Sequence, residues 1–481
     1  MRKIAFVLIW LLPYFGMAQI SGNMVTEYQL GNLPATSPQY LNTVYNRTNL
    51  QYNYKNFKAF VMLENFGSQY QNRSYISPSQ VGLQYSGNHF EVKLGNFFST
   101  IGRGNLLRSF EIPGSILEDR SFRVRSYFYR DLFGGEAKFK SKYLDLKVLI
   151  ASPLDNLYPP TEMFDIRRPE RVSAINPEVK IKQYKLGSAF MLHESNFAQA
   201  GYMTNYLTGP VTKSSNLYIE YSNRVYHSTS SDESHALYAG YNFSKEKFGG
   251  SIEIKDYKNF LIGAGVNQPP ALVREQTYRV LNRSIHVLQP SNESGFQVEL
   301  FYEPKSNHML TFNQTVNKNY FGKNFYYTET FLEYNADFEN NTTLKIFADY
   351  AIDNLKVEKH RISGGALYEF GIGSKQKIKL ETEQQTFQRL DKKVYNQVYA
   401  ITYHPFAKLS FTPVLECSND PFLTNQHTRL WFGSNLKYNF NSKLSMQLFA
   451  GKRRGGPSCN AGICYEVLDF EGVEIRTNWR F

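Results

Sequence analysis

The chain ends on Gly472-Val473-Glu474-Ile475-Arg476-Thr477-Asn478-Trp479-Arg480-Phe481. Strand side chains alternate with a period of two, so Val473, Ile475, Thr477, Trp479 and Phe481 share one face. Glu474, Arg476, Asn478 and Arg480 share the other. An apolar face that finishes in aromatic residues, backed by a charged face, suits a strand standing between lipid and a watery interior. The ending therefore predicts an all-β fold, a transmembrane antiparallel β-barrel, with this segment as its closing strand.

The same ending resembles the C-terminal signal by which barrel assembly machinery recognises such proteins, with Trp479 and Phe481 as the aromatic residues that are read. The other end agrees with export. Arg2 and Lys3 precede an apolar run over residues 4–12, and Gly16-Met17-Ala18 offers small residues where a signal peptidase cuts. Residues 1–18 are thus expected to be a signal peptide, and residues 19–481 a single barrel domain in the bacterial outer membrane. The apolar run is too short for a spanning helix, which needs about 20 residues. No cysteine follows the cleavage point, which argues against a lipoprotein anchor.

Composition fits the barrel better than first sight suggests. Mean hydropathy is −0.44 and hydrophobic residues make up 42%, values that would suit a soluble protein. Yet 35 tyrosines and 37 phenylalanines bring the aromatic share to 16%. Only every second barrel residue faces lipid, while aromatic girdles mark both interfaces, so this combination is expected.

From about residue 50 onward, strand-length segments alternate with polar turns. Tyr143-Leu144-Asp145-Leu146-Lys147-Val148-Leu149-Ile150 puts Leu144, Leu146, Val148 and Ile150 on one side. Thr343 to Tyr350 repeats the scheme. In Lys377-Ile378-Lys379-Leu380-Glu381-Thr382-Glu383 the inward face is wholly charged, which a water-filled lumen accepts and a packed sandwich core does not. Tight turns occur at Phe440-Asn441-Ser442-Lys443, Ser86-Gly87-Asn88-His89 and Glu339-Asn340-Asn341-Thr342. Roughly 20 segments result at ~10 residues per crossing, with a margin of two to four. Residues 20–46 offer one strand and a short inward segment at most, too little for a folded plug ahead of the barrel.

Three stretches break the rhythm: residues 99–130, 152–177 and 268–294. Loops longer than about 12–15 residues are usually functional or disordered, and the tyrosines and arginines here argue against disorder. The expectation is long loops or inward-folded segments that narrow the barrel. The first carries Arg103, Arg108, Arg120, Arg123, Arg125 and Arg130, and the second Arg167, Arg168 and Arg171. Arginine keeps its charge when partly buried and offers a planar fork to carboxylate and phosphate. These nine are the lumen or constriction candidates. The competing reading is a set of structural ion pairs with Glu111, Glu118, Asp119, Asp131, Asp165 and Glu170.

The formal net charge of +12 has readings in anionic lipid or lipopolysaccharide, an anion-conducting lumen, or nucleic acid. The last is weakest, because no nucleic-acid module is present. In an oxidising compartment Cys459 and Cys464, five apart in a Gly-rich loop, make the sensible disulfide, leaving Cys417 free. No histidine lies near enough to complete a zinc site, so no metal and no cofactor are implied. There is no HExxH, GxSxG, phosphate-binding loop or dinucleotide fingerprint, so no enzyme is expected. His89, His193, His227, His235, His286 and His404 read as interface or lumen residues.

Gly95-Asn96-Phe97-Phe98 followed by Ile101-Gly102-Arg103-Gly104 is similar to a pattern in an uncharacterised Bacteroidetes family of outer-membrane β-barrel proteins, of the domain-of-unknown-function type. So are Leu281-Asn282-Arg283 with Glu293-Ser294-Gly295-Phe296, and Arg454-Gly455-Gly456 with Cys459, Cys464, Phe470 and Gly472. The resemblance spans the whole barrel and implies location and fold but no activity. The functional expectation is a porin-like channel or transporter for small polar or anionic solutes. The alternative is a plugged barrel that binds a partner in assembly or export. Expected partners are outer-membrane lipid and lipopolysaccharide, the barrel assembly machinery and a protein docking on the long loops, with no nucleic acid.

Overall fold

The computed structural model describes residues 19–34, 36–70, 73–119, 124–154, 169–230, 232–263, 265–339, 341–373, 375–424, 427–460 and 463–481. The expected signal peptide lies outside them. A single antiparallel sheet of 24 strands closes on itself. The first strand, Gln19–Asn32, pairs with the last, Phe470–Arg480, from Asn32↔Glu471 to Asn23↔Arg480. A closed, even-stranded antiparallel barrel leaves no edge and satisfies every backbone group within the sheet, the condition for crossing lipid with strands.

Twenty-four is four above the roughly 20 expected, within the stated margin. Two differences in detail explain part of the gap. Residues 20–46, read as one strand and an inward segment, contribute a full strand and the start of a second, Tyr40–Tyr54. Their polar residues concealed the pattern: Thr26 and Asn46 face outward but hydrogen-bond each other there. Residues 171–177, read as loop, begin the strand Arg171–Ile181. Pro177 is tolerated because direct pairing to the next strand skips from Ile175↔Phe190 to Glu178↔Gly187, where a missing N–H removes least.

The faces of the last strand are as the alternation predicts. Val473, Ile475, Trp479 and Phe481 are exposed on the outside, while Glu474 and Arg476 form ion pairs on the inside. The charged strand is Gln376–Arg389, and Glu381 pairs inside with Lys379 at 3.0 Å. Elsewhere the outer belt is Leu, Ile, Phe and Tyr, including Ile150, Ile175, Leu332, Ile401 and Phe432.

Short turns and long connections segregate to opposite ends. One end carries both chain termini of the sheet and turns such as Lys182-Gln183 between Ile181 and Tyr184. The other carries the connections of residues 98–131, 259–291 and 454–469. In outer-membrane barrels the first end is periplasmic and the second extracellular. Inward residues are buried only in the extracellular half. In Tyr40–Tyr54, Leu41, Thr43 and Tyr45 are buried, whereas Arg47, Asn49 and Gln51 are half-buried. In Glu358–Ile372, Arg361 and Ser363 are buried while Leu367 and Glu369 are not. The extracellular half of the lumen is filled, and the periplasmic half is a vestibule.

Candidate functional site

The filling is a plug made of the three long connections. Residues 98–131 supply a bulged hairpin, Phe110–Glu118 with Arg125–Arg130. Residues 259–291 carry one helical turn, Arg279–Asn282. Residues 454–469 supply the hairpin Gly456–Asn460 with Ile463–Val467, in which Cys459 and Cys464 stand directly opposite and are disulfide-bonded.

These pieces lock together by contacts between residues far apart in the chain. Asn267 Nδ2 donates to the Asn105 carbonyl at 3.0 Å, and the Arg108 N–H to the Val266 carbonyl at 3.0 Å. Asn282 clasps the disulfide hairpin, donating from Nδ2 to the Cys459 carbonyl at 2.8 Å and accepting the Cys459 N–H at Oδ1 at 3.0 Å. Phe110, Ile112, Phe128 and Ile463 share an apolar cluster. A second and larger cluster joins Ile101, Leu106 and Leu107 of the plug to Leu149, Val172 and Met191 of the wall.

Across the opposite wall the plug packs against buried ion pairs among the wall strands and is tied to them by hydrogen bonds. The fully buried Arg361 guanidinium reaches Glu329 at 2.9 Å, Glu358 at 3.2 Å and Asp349 at 3.3 Å. Arg389 bridges Glu358 at 2.8 Å and Asp420. Glu383 accepts the N–H groups of Arg279 and Val280 at 3.1 and 2.9 Å, where the helical turn leaves them free. His286 bonds Asp353 through Nδ1 at 3.0 Å and lies 3.6 Å from Glu293 through Nε2. Burial alone would lower its pKa, but the two carboxylates outweigh that and raise it. Buried ions are tolerated only when their partners are supplied like this.

Between plug and wall lies a cavity of about 680 Å³. A stripe of inward glycines on four neighbouring strands borders it, paired Gly433↔Gly451, Gly451↔Gly472 and Gly31↔Gly472, and of these Gly433 lines the cavity. Its floor reaches Asn435, Gln447 and Arg476, half-buried toward the vestibule. Seven basic residues and four acidic ones line it, a surplus of three positive charges. Most of the basic groups are paired. Arg125 binds Glu27 at 2.7 Å and Glu118 at 3.1 Å; burial would lower its pKa, but those carboxylates raise it. Arg453 binds Glu474 at 3.2 Å, Arg476 binds Glu27, and Lys452 binds Glu471 at 3.0 Å. Arg283 grips Glu416 with both terminal nitrogens, and Arg279 approaches the same carboxylate at 3.7 Å. Arg454 is 6% exposed and lies over the Trp431 ring at 5.7 Å. Burial first, and then the Arg283 charge, push its pKa down to about 10, so it stays protonated at neutral pH.

Five of the nine candidate arginines are among the described residues, and these five do not converge. Of them Arg125 lines the cavity. Arg103 is exposed, over Tyr218 at 5.1 Å, with its N–H bound by Glu220 at 2.7 Å. Arg108 is half-buried in the plug, and burial lowers its pKa. Arg130 lies over Phe110 at 5.8 Å, and Arg171 pairs with Glu194 at the extracellular rim. Arg120, Arg123, Arg167 and Arg168 fall outside the described residues. The other cavity arginines come from the third irregular stretch and from the last two strands and the connection between them. The signal that could have found them was the inward position of Arg476 and the Arg-Arg pair at 453–454.

The chain belongs to a family of unknown function, DUF6029, matched over residues 18–449. No curated protein matches it. Among solved structures it is similar to the P pilus usher (PapC) translocation pore, at 9% identity and TM-score 0.51 over 96% of this chain and 99% of that one. It is also similar to the siderophore receptor PirA from Acinetobacter baumannii, at 9% identity and TM-score 0.50 over 96% of this chain and 80% of that one. At such identity both show the fold alone: an outer-membrane β-barrel.

Proposed function

We propose that this member of the family is a gated outer-membrane transporter for small polar or anionic solutes. The observation that carries the reading is the cavity itself, basic in balance, lying between a plug and a wall and reaching toward an open vestibule. Along much of its circumference the plug is held by ion pairs and hydrogen bonds, which water can replace at a small net cost when the segment moves. A gate needs such an interface. Barrels of this architecture serve as a translocation pore and a siderophore receptor in the two solved neighbours, which agrees with transport and names no solute. Of the described candidate arginines, Arg125 then acts from the plug at the cavity, and Arg103 from the plug against Tyr218 and Glu220 of the wall.

Planar-bilayer recordings test this. The protein as it stands is expected to conduct little, and a variant lacking residues 276–287 is expected to conduct with anion preference. If that variant inserts normally and conducts nothing, the reading fails. The second reading, a plugged barrel that docks a partner for assembly or export, is favoured by how fully the three connections pack into one body. It predicts no conductance in either form and a protein that co-purifies through the extracellular loops.

A further inference from the structure

We propose that Arg454, with Arg283 beside it and the Trp431 ring against it, forms an oxyanion-binding site for the carboxylate or phosphate group of a small solute. Arg454 has no ion pair among the described residues, and its Nε and Nη1 are buried with no hydrogen-bond partner. Every carboxylate that acts on it electrostatically is already engaged. Glu416 is held by Arg283, Asp420 by Arg389, and Asp469 by Arg429 at 2.9 Å. A buried cation left without a counter-charge is costly, and an oxyanion supplies both the charge and the acceptors.

The surrounding donors point the same way. Among residues lining the cavity, each buried side-chain atom lacking a hydrogen-bond partner is a donor: Gln276 Nε2, Trp431 Nε1, Arg453 Nε, two nitrogens of Arg125 and the two of Arg454. The Arg125 nitrogens lie beside Glu27, which discounts them. The remaining set asks for acceptors, since each buried donor left unmet costs about 1–3 kcal/mol. Arg283 Nη2 donates to the Arg454 carbonyl at 3.4 Å, and the Arg283 charge acts on the Arg454 guanidinium, so both positive charges bear on the site. The planar fork of Arg454 suits two oxygens of a carboxylate or phosphate. Gly433 and Gly456 line the same space without side chains to fill it.

The site deepens the transport reading by naming the group a solute must carry, and it is tested by binding alone, so either can fail without the other. The chain has three tryptophans, Trp10, Trp431 and Trp479. In purified protein carrying Trp479→Phe and processed at residue 18, emission reports Trp431. Inorganic phosphate and acetate are titrated separately against chloride at constant ionic strength. A saturable change with phosphate, acetate or both, absent with chloride, is expected, and the responding ion identifies the group. Arg454→Gln should weaken it at least tenfold, Arg454→Lys should weaken it less, and Arg171→Gln at the rim should leave it unchanged. No saturable response beyond chloride overturns the proposal, and so does equal affinity in a folded Arg454→Gln or Arg454→Lys variant.

Discussion

Nη1 of Arg361, on the inner wall, donates to the carbonyl oxygen of Ser284, in the plug, at 2.9 Å. The same guanidinium pairs with Glu329, Asp349 and Glu358. One side chain therefore both offsets part of the buried wall charge and ties the plug to the wall. Removing it leaves the buried Glu329 and Asp349 without their cation, while Glu358 keeps Arg389, a loss of about 3–5 kcal/mol for a broken buried pair. Arg361→Ala should lower the urea midpoint of the plug, and hydrogen exchange over residues 276–287 should accelerate before exchange in the barrel strands. Unchanged protection there would show that the plug is held without Arg361.

His286 gives the plug a pH dependence. Its pKa is raised in the folded protein, so its contribution is complete below the ordinary histidine pKa of about 6.5 and is lost as pH rises through the folded value. Groups facing it are Asp353 and Glu293, with Lys255 on the far side of Glu293. Protection of residues 284–290 against hydrogen exchange, corrected for intrinsic rates, should fall toward alkaline pH. In His286→Gln that fall should flatten.

The glycine stripe should be intolerant of side chains. Gly451 has φ +124°, and a Cβ there would stand 2.4 Å from the Phe432 carbonyl oxygen and 2.6 Å from the Gly433 Cα. Gly451→Val is expected to cost about 3 kcal/mol or more by forcing two strands apart, read as loss of the heat-modifiable folded band on a gel. At Gly67 the nearest atom is 3.9 Å away, so Gly67→Ala should migrate as the parent does.

Phe481 is bound at the seam of the barrel. Its N–H donates to the Gly22 carbonyl at 3.0 Å and its carbonyl accepts the Gly22 N–H at 2.9 Å. Deleting it should reduce the assembled fraction in the outer membrane, through the lost pairing and the lost terminal aromatic residue. Restoring a terminal aromatic as Phe481→Tyr should recover assembly. Normal insertion of the deletion would count against any role for this residue in recognition.

The alternation of the last strand and of Gln376–Arg389 was enough to establish an outer-membrane barrel and its outer and inner faces. Period-two patterning is local, and a one-residue slip would put Glu474 and Arg476 into lipid, so neighbouring residues carry that information by themselves. Two of the plug's three segments were visible for the same local reason, as the irregular stretches 99–130 and 268–294, while the third, 454–469, read as a Gly-rich loop with a disulfide. Which of their charges meet was not visible. Asn282 and Cys459 touch across 177 residues of chain, and Arg125, Arg283 and Arg454 come from three separate connections. Only closure of 24 strands brings those connections into one lumen. There, burial decides which guanidinium finds a carboxylate and which, like Arg454, does not. The sequence by itself determined the barrel, and the tertiary packing decided where its charge is left unmet.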